Sequence, residues 1–138
     1  MKRLILSFTA LVFAYYAMAQ KISEKGVPAA VKTTMNKLYP HVSKVKWEKE
    51  KGNFEANFKQ KNTSISVLID PNGNLIETET SMPIADLPFG VVDFIKRHYP
   101  GASVTEAALI KDSKGIVKYE AEVQGKDLLF DSLGNPLP

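Results

Sequence analysis

Three short sequence patterns occur twice along the chain in the same order, and this repetition restricts the possible folds more than any other feature. The first is a proline followed eleven residues later by a Tyr-Pro pair, the second an aromatic-Glu-Ala segment, and the third an Asp-x-x-Gly-Asn turn. The matching segments are 27–40 with 87–100, 54–58 with 119–123, and 70–74 with 131–135. Because such ordered self-similarity indicates duplicated structural units, we predict two repeats, at residues 20–86 and 87–138.

A short amphipathic helix is predicted at the start of each repeat. Pro28 and Pro88 suit a first helical turn, where the missing N–H would be unpaired anyway. Apolar residues then follow at helical spacing. Pro40 and Pro100 disfavour helical geometry at the tyrosine before them, so each helix should end just before that tyrosine. Helices this short are marginal alone and must pack against another layer.

That layer is predicted to be a β-sheet, because apolar and polar residues alternate strictly along 44–48, 54–59 and 64–69. Such alternation is typical of half-buried antiparallel strands, and Gly- and Asn-containing turns separate them. We therefore predict an α+β fold, a tandem repeat of helix plus antiparallel β-meander with the helices packed on one face of the sheet or sheets. Whether the repeats share one sheet is left open.

The N-terminal residues are typical of an export signal. Lys2 and Arg3 precede an apolar run at 4–17, and Ala17-Met18-Ala19 fits a cleavage site. We predict a signal peptide at 1–19, a periplasmic or secreted protein, and no membrane span after cleavage. Removing residues 1–19 leaves 16 basic and 15 acidic residues, so the mature chain lacks the basic excess typical of nucleic-acid binding.

The residues present do not predict an active site. There is no cysteine, and His41 and His98 lie at different positions of their repeats. The carboxylates fall on solvent faces of predicted strands, where nothing is expected to raise their pKa. The segment 70–74 resembles a calcium loop but has its glycine in the fourth position, as a turn does. We predict no enzymatic activity, no cofactor and no metal, and keep an enzyme using Glu77 and Glu79 as a distant third hypothesis.

These residues together resemble a known family. The chain resembles the β-lactamase-inhibitor-like, PepSY-like family of small exported bacterial proteins in five features. These are the helix ending in Tyr-Pro, the Trp47-Glu48 strand, the Phe/Tyr-Glu-Ala strand, the Asp-x-x-Gly turn and the Glu77-Thr78-Glu79 segment at the end of the first repeat. The resemblance covers about 22–138. It implies tandem helix-plus-sheet units, for which one continuous curved sheet with the helices on its convex side is one arrangement. It also implies a binding or inhibitory module with no known catalytic role, since PepSY modules are associated with restraining secreted peptidases. No stretch matches the contact loops of the β-lactamase inhibitor, so no inhibitory residue is carried over.

The polar face of the predicted sheet is the candidate binding surface, because the helices leave it uncovered. Trp47 is a candidate aromatic anchor for a partner, although its parity with Val45 favours the core. We predict a module that binds an unknown protein partner, as an inhibitor or regulator of a secreted or periplasmic hydrolase. The alternative is a periplasmic small-ligand carrier that uses the cleft between the repeats. The other predicted contact residues on this face are Lys46, Glu48, Glu55, Asn57, Leu68, Glu120 and Glu122. Glu77 and Glu79 are added because they give the fourth strand, 75–80, a polar face, and an exposed edge of that strand could pair with a strand of the partner.

Overall fold

Eight strands form a single antiparallel sheet in which neighbours along the chain are also neighbours in space. The computed structural model describes residues 19–138, so the predicted signal peptide, apart from Ala19, lies outside the described residues. The strands are β1 Gln20–Ile22, β2 Lys46–Glu50, β3 Asn53–Gln60, β4 Thr63–Ile69, β5 Leu75–Ser81, β6 Val104–Asp112, β7 Val117–Val123 and β8 Lys126–Asp131.

Two short helices, α1 at Ala29–Leu38 and α2 at Phe89–His98, complete the described structure together with single 3₁₀ turns before them. Each helix begins directly after its proline and ends before its Tyr-Pro pair, as predicted. The N–H of Tyr39 donates to Met35 O at 2.8 Å and that of Tyr99 to Ile95 O at 2.8 Å, which completes each last turn. No helix in residues 19–138 combines the length and apolar character needed to cross a bilayer.

The predicted fold class is wrong. The described chain is mainly β, with one eight-stranded sheet and only two ten-residue helices, rather than an α+β tandem repeat of helix plus meander with helices on a sheet face. The alternation of apolar residues indicated strands correctly, but it carried no information on how far the sheet continues. The boundary predicted at residues 86 and 87 stays a prediction, and the sheet runs on across it.

β5 and β6 carry the sheet across this boundary, although residues 82–103 separate them along the chain. They pair antiparallel in a continuous register from Glu77 opposite Asp112 to Ser81 opposite Ala108. The N–H of Met82 donates to Ala107 O at 2.9 Å and extends the ladder at one end. Because the backbone groups of a strand inside a sheet are paired on both sides, neither strand is an exposed edge. The prediction that strand 75–80 offers an exposed edge to a partner strand is therefore wrong, since β5 pairs with both β4 and β6.

The hydrophobic core lies on one face of this sheet, in two clusters. In one, Val31 and Met35 of α1 are buried together with sheet residues such as Val67. In the other, Val91 and Ile95 of α2 are buried with sheet residues such as Phe130. Burying each large apolar side chain contributes about 1.5–3 kcal/mol. We call this side of the sheet the core face and the opposite side the open face.

Tight Asp-x-x-Gly turns place the ends of two strands against the starts of the helices. In the first turn, Asp70 Oδ1 accepts hydrogen bonds from the N–H groups of Asn72 and Asn74, both at 2.9 Å. Gly73 has φ +88°, and a Cβ added there would lie 2.8 Å from the carbonyl oxygen of Ala30 in α1. Only glycine therefore allows the turn to approach the helix so closely.

Gly73→Ala should destabilise the protein clearly more than Gly52→Ala. Gly52 has φ +83°, but nothing lies within 4 Å of a Cβ added there. Both changes should reduce the free energy of unfolding by about 1 kcal/mol, because alanine is strained in the left-handed backbone conformation. Only Gly73→Ala must also displace the start of α1, which should cost roughly a further 1 kcal/mol or more. Urea unfolding midpoints of the two variants measure the difference. Equal losses would show that the turn does not pack against the helix.

Candidate functional site

Nine of the ten contact residues predicted from the sequence lie on the open face. Residues directly opposite each other on neighbouring strands share a face. Lys46 pairs with Asn57, and Leu68 pairs with Glu77, so these side chains project to the same side. The same register links the remaining members of the set, which are Glu48, Glu55, Glu79, Glu120 and Glu122.

Trp47 lies on the core face instead. It pairs with Ala56 and is only 6% exposed, in the cluster that contains Val31 and Met35 of α1. Its side chain therefore stabilises the core and is not available to a partner on the open face. The hypothesis of an aromatic anchor at Trp47 is wrong, for the reason that its parity with Val45 already suggested.

The open face forms one broad groove of about 1150 Å³. Lys46 on β2 and Glu120 on β7 both line this groove, although four strands lie between them in the sheet. In a flat sheet, strands five intervals apart would be roughly 24 Å from each other. The sheet therefore curves around the groove, with the open face on the inside and residues from both ends of the chain in the two walls.

The floor of the groove is apolar. Ala108 and Ile110 on β6 pair with Ser81 and Glu79 of β5, which places them on the open face. Each is nevertheless only 6% exposed, and neither belongs to a core cluster. On the neighbouring strand, Glu120 lies directly opposite Ala108 and Lys118 lies directly opposite Ile110. Of the two, Ala108 lines the groove, so the floor beside the acidic wall is apolar but little exposed.

The two sides of the groove carry opposite charges. Three carboxylates line it from β5, β6 and β7, and lysines line it from the region of β2 and β3. Side chains of one sign on facing sides of a cleft produce a strong local field and favour a ligand with the complementary distribution. We call Lys44, Lys46, Lys59 and Lys61 the basic wall, and Glu79, Glu106 and Glu120 the acidic wall.

Burial and crowding change the protonation of two acidic-wall residues. Desolvation, together with the nearby charges of Glu79 and Asp127, raises the pKa of Glu120 to about 7. Desolvation also raises the pKa of Glu79, and the negative charge of Glu55 is the next largest cause. The expectation that nothing on this face raises a carboxylate pKa is therefore wrong. It assumed a flat, fully hydrated face, whereas curvature brings these carboxylates together over apolar residues.

Hydroxyl groups orient two further carboxylates of the open face. The Ser66 hydroxyl donates to Glu55 Oε1 from the neighbouring strand. Thr105 Oγ1 donates to Glu122 Oε1 at 2.7 Å. These hydrogen bonds restrict the side-chain rotamers of the two carboxylates. In the described part of the chain, no group of three or more His, Asp or Glu side chains is placed to hold a metal ion.

Comparison with known proteins identifies the family. A family model described as beta-lactamase-inhibitor-like, PepSY-like matches the chain twice, at residues 16–77 and 69–137. The chain belongs to this family. The resemblance predicted from the sequence is thereby confirmed. A comparison with curated proteins found no match.

Several crystal structures from Bacteroides species are similar to this family member. A BLIP-like protein from Bacteroides fragilis is 28% identical, with a TM-score of 0.62 over 80% of this chain and 84% of that one. A protein from Bacteroides eggerthii described as periplasmic is 18% identical, with a TM-score of 0.72 over 81% and 86%. One from Bacteroides uniformis is 20% identical, with a TM-score of 0.70 over 80% and 86%. The last two likenesses show the fold alone.

Sequence reasoning missed the apolar floor and Glu106. A signal for the floor was present, since Ala107, Ala108, Leu109 and Ile110 are consecutive apolar residues and interrupt the alternation. Such a run is typical of a strand that is buried on both faces. In this family member, the second buried face is the floor of the groove.

Glu120→Gln should weaken the pH dependence of stability and stabilise the protein above pH 7. Since the folded-state pKa of about 7 exceeds the ordinary value of 4.5, the folded state binds more protons between those values, and the free energy of unfolding falls as pH rises through this window. Glutamine removes this effect. For a half-buried group, we expect a gain of about 1 kcal/mol above the window after allowing for solvent screening.

Urea unfolding midpoints measured from about pH 4 to about pH 8 test this expectation. Glu48→Gln is the matched control, because Glu48 lies on the open face but outside the groove lining. It should leave the slope between pH 4.5 and 7 as in the wild type. A wild-type slope in Glu120→Gln would contradict the crowded environment assigned to this carboxylate.

Proposed function

We propose that the protein is a non-enzymatic exported module that binds a partner protein in the groove of its open face. The observation that carries the proposal is the arrangement of the groove, in which the basic wall lies opposite an acidic wall that includes, beside its carboxylates, the apolar residue Ala108. Membership of the beta-lactamase-inhibitor-like, PepSY-like family supports a binding role.

A protein partner suits this groove better than an isolated ion or metabolite would. Protein interfaces combine apolar contacts with charged and polar residues, and the groove offers apolar Ala108 beside the acidic wall with polar and basic residues across from it. The two walls favour a protruding segment with acidic side chains toward Lys46 and Lys59 and a basic side chain toward Glu79 and Glu120. Such a basic group would also relieve the repulsion among the carboxylates of the acidic wall.

A secreted or periplasmic hydrolase is the partner class that we propose. The N-terminal sequence predicts export, and this agrees with the description of the Bacteroides eggerthii structure as a periplasmic protein. The Bacteroides fragilis structure is described as BLIP-like, which supports inhibition or regulation as the consequence of binding.

The non-enzymatic part of the proposal is supported by the width of the groove. Glu79 and Glu120 are only half-buried, and the groove opens broadly to solvent. Acid–base catalysis by carboxylates generally uses a site that encloses the substrate and excludes water. In this groove, the raised pKa values follow from crowding over the apolar floor, which a partner would cover.

Reversing the charge of the basic wall should weaken partner binding. A partner is first captured by cross-linking in cell-envelope extract and then purified, and its affinity is measured by calorimetry. Lys46→Glu and Lys59→Glu should each reduce affinity about tenfold or more, and the loss should shrink at high salt. Lys37→Glu on the exposed side of α1 is the control and should bind as the wild type does.

Equal affinity of the basic-wall variants and the wild type would place the contact outside the groove and contradict the proposal. Retention of binding by Lys37→Glu excludes a general effect of net charge. Circular dichroism of every variant verifies that the sheet is intact.

A small-ligand carrier is the second candidate function, because residues from both ends of the chain line one groove of about 1150 Å³. A thermal-shift screen separates the two, since a ligand that binds only the folded state raises the unfolding temperature. If protein binding is the function, the purified partner raises this temperature and the small molecules do not.

A further inference from the structure

The turn between β4 and β5 contains an asparagine that is followed directly by glycine. These residues are Asn72 and Gly73, and none of the other asparagines of the chain precedes a glycine. Asparagine is among the chemically labile residues of proteins. In an Asn-Gly pair the glycine has no Cβ to obstruct the approach of its backbone nitrogen to the asparagine side chain. The pair is therefore open to an intramolecular reaction.

In this reaction the backbone nitrogen of Gly73 attacks Cγ of Asn72. A bond forms between these two atoms and the bond between Cγ and Nδ2 breaks. The side-chain nitrogen leaves as ammonia, taking up the proton that the backbone nitrogen loses. Water then opens the resulting cyclic imide, at one carbonyl to give aspartate and at the other to give isoaspartate. In isoaspartate the main chain runs through the side chain and is longer by one CH₂ group.

The structure leaves the reacting side chain accessible. Asn72 is exposed, and it takes part in the turn through its backbone N–H, which donates to Asp70 Oδ1 at 2.9 Å. The side-chain amide of the neighbouring Asn74, by contrast, donates to Asp70 Oδ2 at 2.9 Å. The turn therefore uses the side chain of Asn74 and leaves that of Asn72 toward solvent.

The attacking nitrogen, in contrast, is restrained by two hydrogen bonds of its residue. The N–H of Gly73 donates to Asp70 O at 3.0 Å, so its proton is engaged within the turn. Thr34 Oγ1, on α1, donates to Gly73 O at 2.6 Å and ties the same residue to the helix. Because the nitrogen must lose its proton and move toward Cγ, the first bond has to break, and the second resists that movement.

We propose that Asn72 is a site of spontaneous deamidation and that the packing of this turn against α1 holds the reaction back. The rate in the folded protein then follows the fraction of molecules in which the turn is open, as the exchange of a protected amide hydrogen does. Loss of the contact between the turn and the helix converts the site from slow to fast.

The two products differ in whether they fit the closed turn. A Cβ added to Gly73 would already lie 2.8 Å from Ala30 O and 3.1 Å from Thr34 Oγ1, so the turn has no room for a longer backbone. Isoaspartate at position 72 therefore displaces the turn from the start of α1. Aspartate keeps the normal backbone and adds only a negative charge.

The second repeat shows that the fold does not depend on an asparagine here. In its turn the N–H of Gly134 donates to Asp131 O at 3.0 Å, as that of Gly73 does to Asp70 O. Leu133 occupies the position of Asn72 and has no side-chain amide. The same turn is thus built from residues that cannot undergo this reaction, and the proposed site is confined to the first repeat.

Peptide mapping by mass spectrometry tests the proposal on the purified protein, incubated at mildly alkaline pH with and without urea. We expect deamidation at Asn72 to be about tenfold or more slower in the folded protein than in urea, because only the open turn reacts. Asn72→Gln is the blank, since glutamine would have to form a larger ring. Circular dichroism verifies that the urea sample is unfolded.

Two neighbouring threonines provide a matched pair of variants. Thr34→Val removes the hydroxyl that binds Gly73 O and should speed deamidation of the folded protein about fivefold, as expected for the loss of one hydrogen bond. Thr33→Val is the control, because Thr33 Oγ1 donates to Ala29 O within the helix, and it should react as the wild type does. In urea all three proteins should react at the same rate.

The stability of the aged protein is a second measurement. The fraction that contains isoaspartate should have a lower urea unfolding midpoint than Asn72→Asp, which reproduces the other product. Equal midpoints would contradict the tight fit of the turn against α1.

Absence of deamidation at Asn72 in urea would overturn the assignment of the site. Equal rates with and without urea, or a folded Thr34→Val variant that reacts no faster than Thr33→Val, would show that the packing against α1 gives no protection. These measurements involve no partner and no groove residue, so this proposal and the proposed function fail independently.

Discussion

The hydrogen bonds between β5 and β6 are the constraint on which the remaining structure depends. They connect two sets of strands that α2 and its flanking turns separate in sequence, and they make one sheet of eight strands. The basic wall comes from β2, β3 and their flanking residues, and the acidic wall comes from β5, β6 and β7. Without the β5–β6 ladder the two walls would not face each other, and the apolar floor on β6 would lie at an exposed edge.

The groove concentrates interactions that a stable protein would ordinarily avoid. Glu79 and Glu120 lie beside apolar residues and near other carboxylates, and both have a raised pKa as a consequence. Natural proteins retain such unfavourable arrangements mainly where function requires them. On the core face, by contrast, the buried residues are all hydrophobic, and no buried side-chain N or O atom among the described residues lacks a hydrogen-bond partner.

Local sequence rules predicted the elements well but not their assembly. The prolines and Tyr-Pro pairs located both helices. Alternation assigned seven contact residues to the open face, namely Lys46, Glu48, Glu55, Asn57, Leu68, Glu120 and Glu122. β1 was missed because three residues, Gln20–Ile22, are too few to show a period. The predicted fold class was wrong because alternation indicates which face of a strand a side chain lies on but does not indicate which strand is its neighbour in the sheet. The pairing of β5 with β6 depends on contacts across 22 intervening residues, numbers 82–103.

Residue-resolved hydrogen exchange of the backbone amides tests the continuous sheet most directly. If β5 and β6 are interior strands, their amides, including those of Thr78 and Lys111, exchange as slowly as the amides of β3 and β4 and through the same global opening. If the chain instead forms two separate sheets, β5 and β6 are edges, and every second amide on their facing sides exchanges orders of magnitude faster. That second result would remove the groove and the function assigned to it.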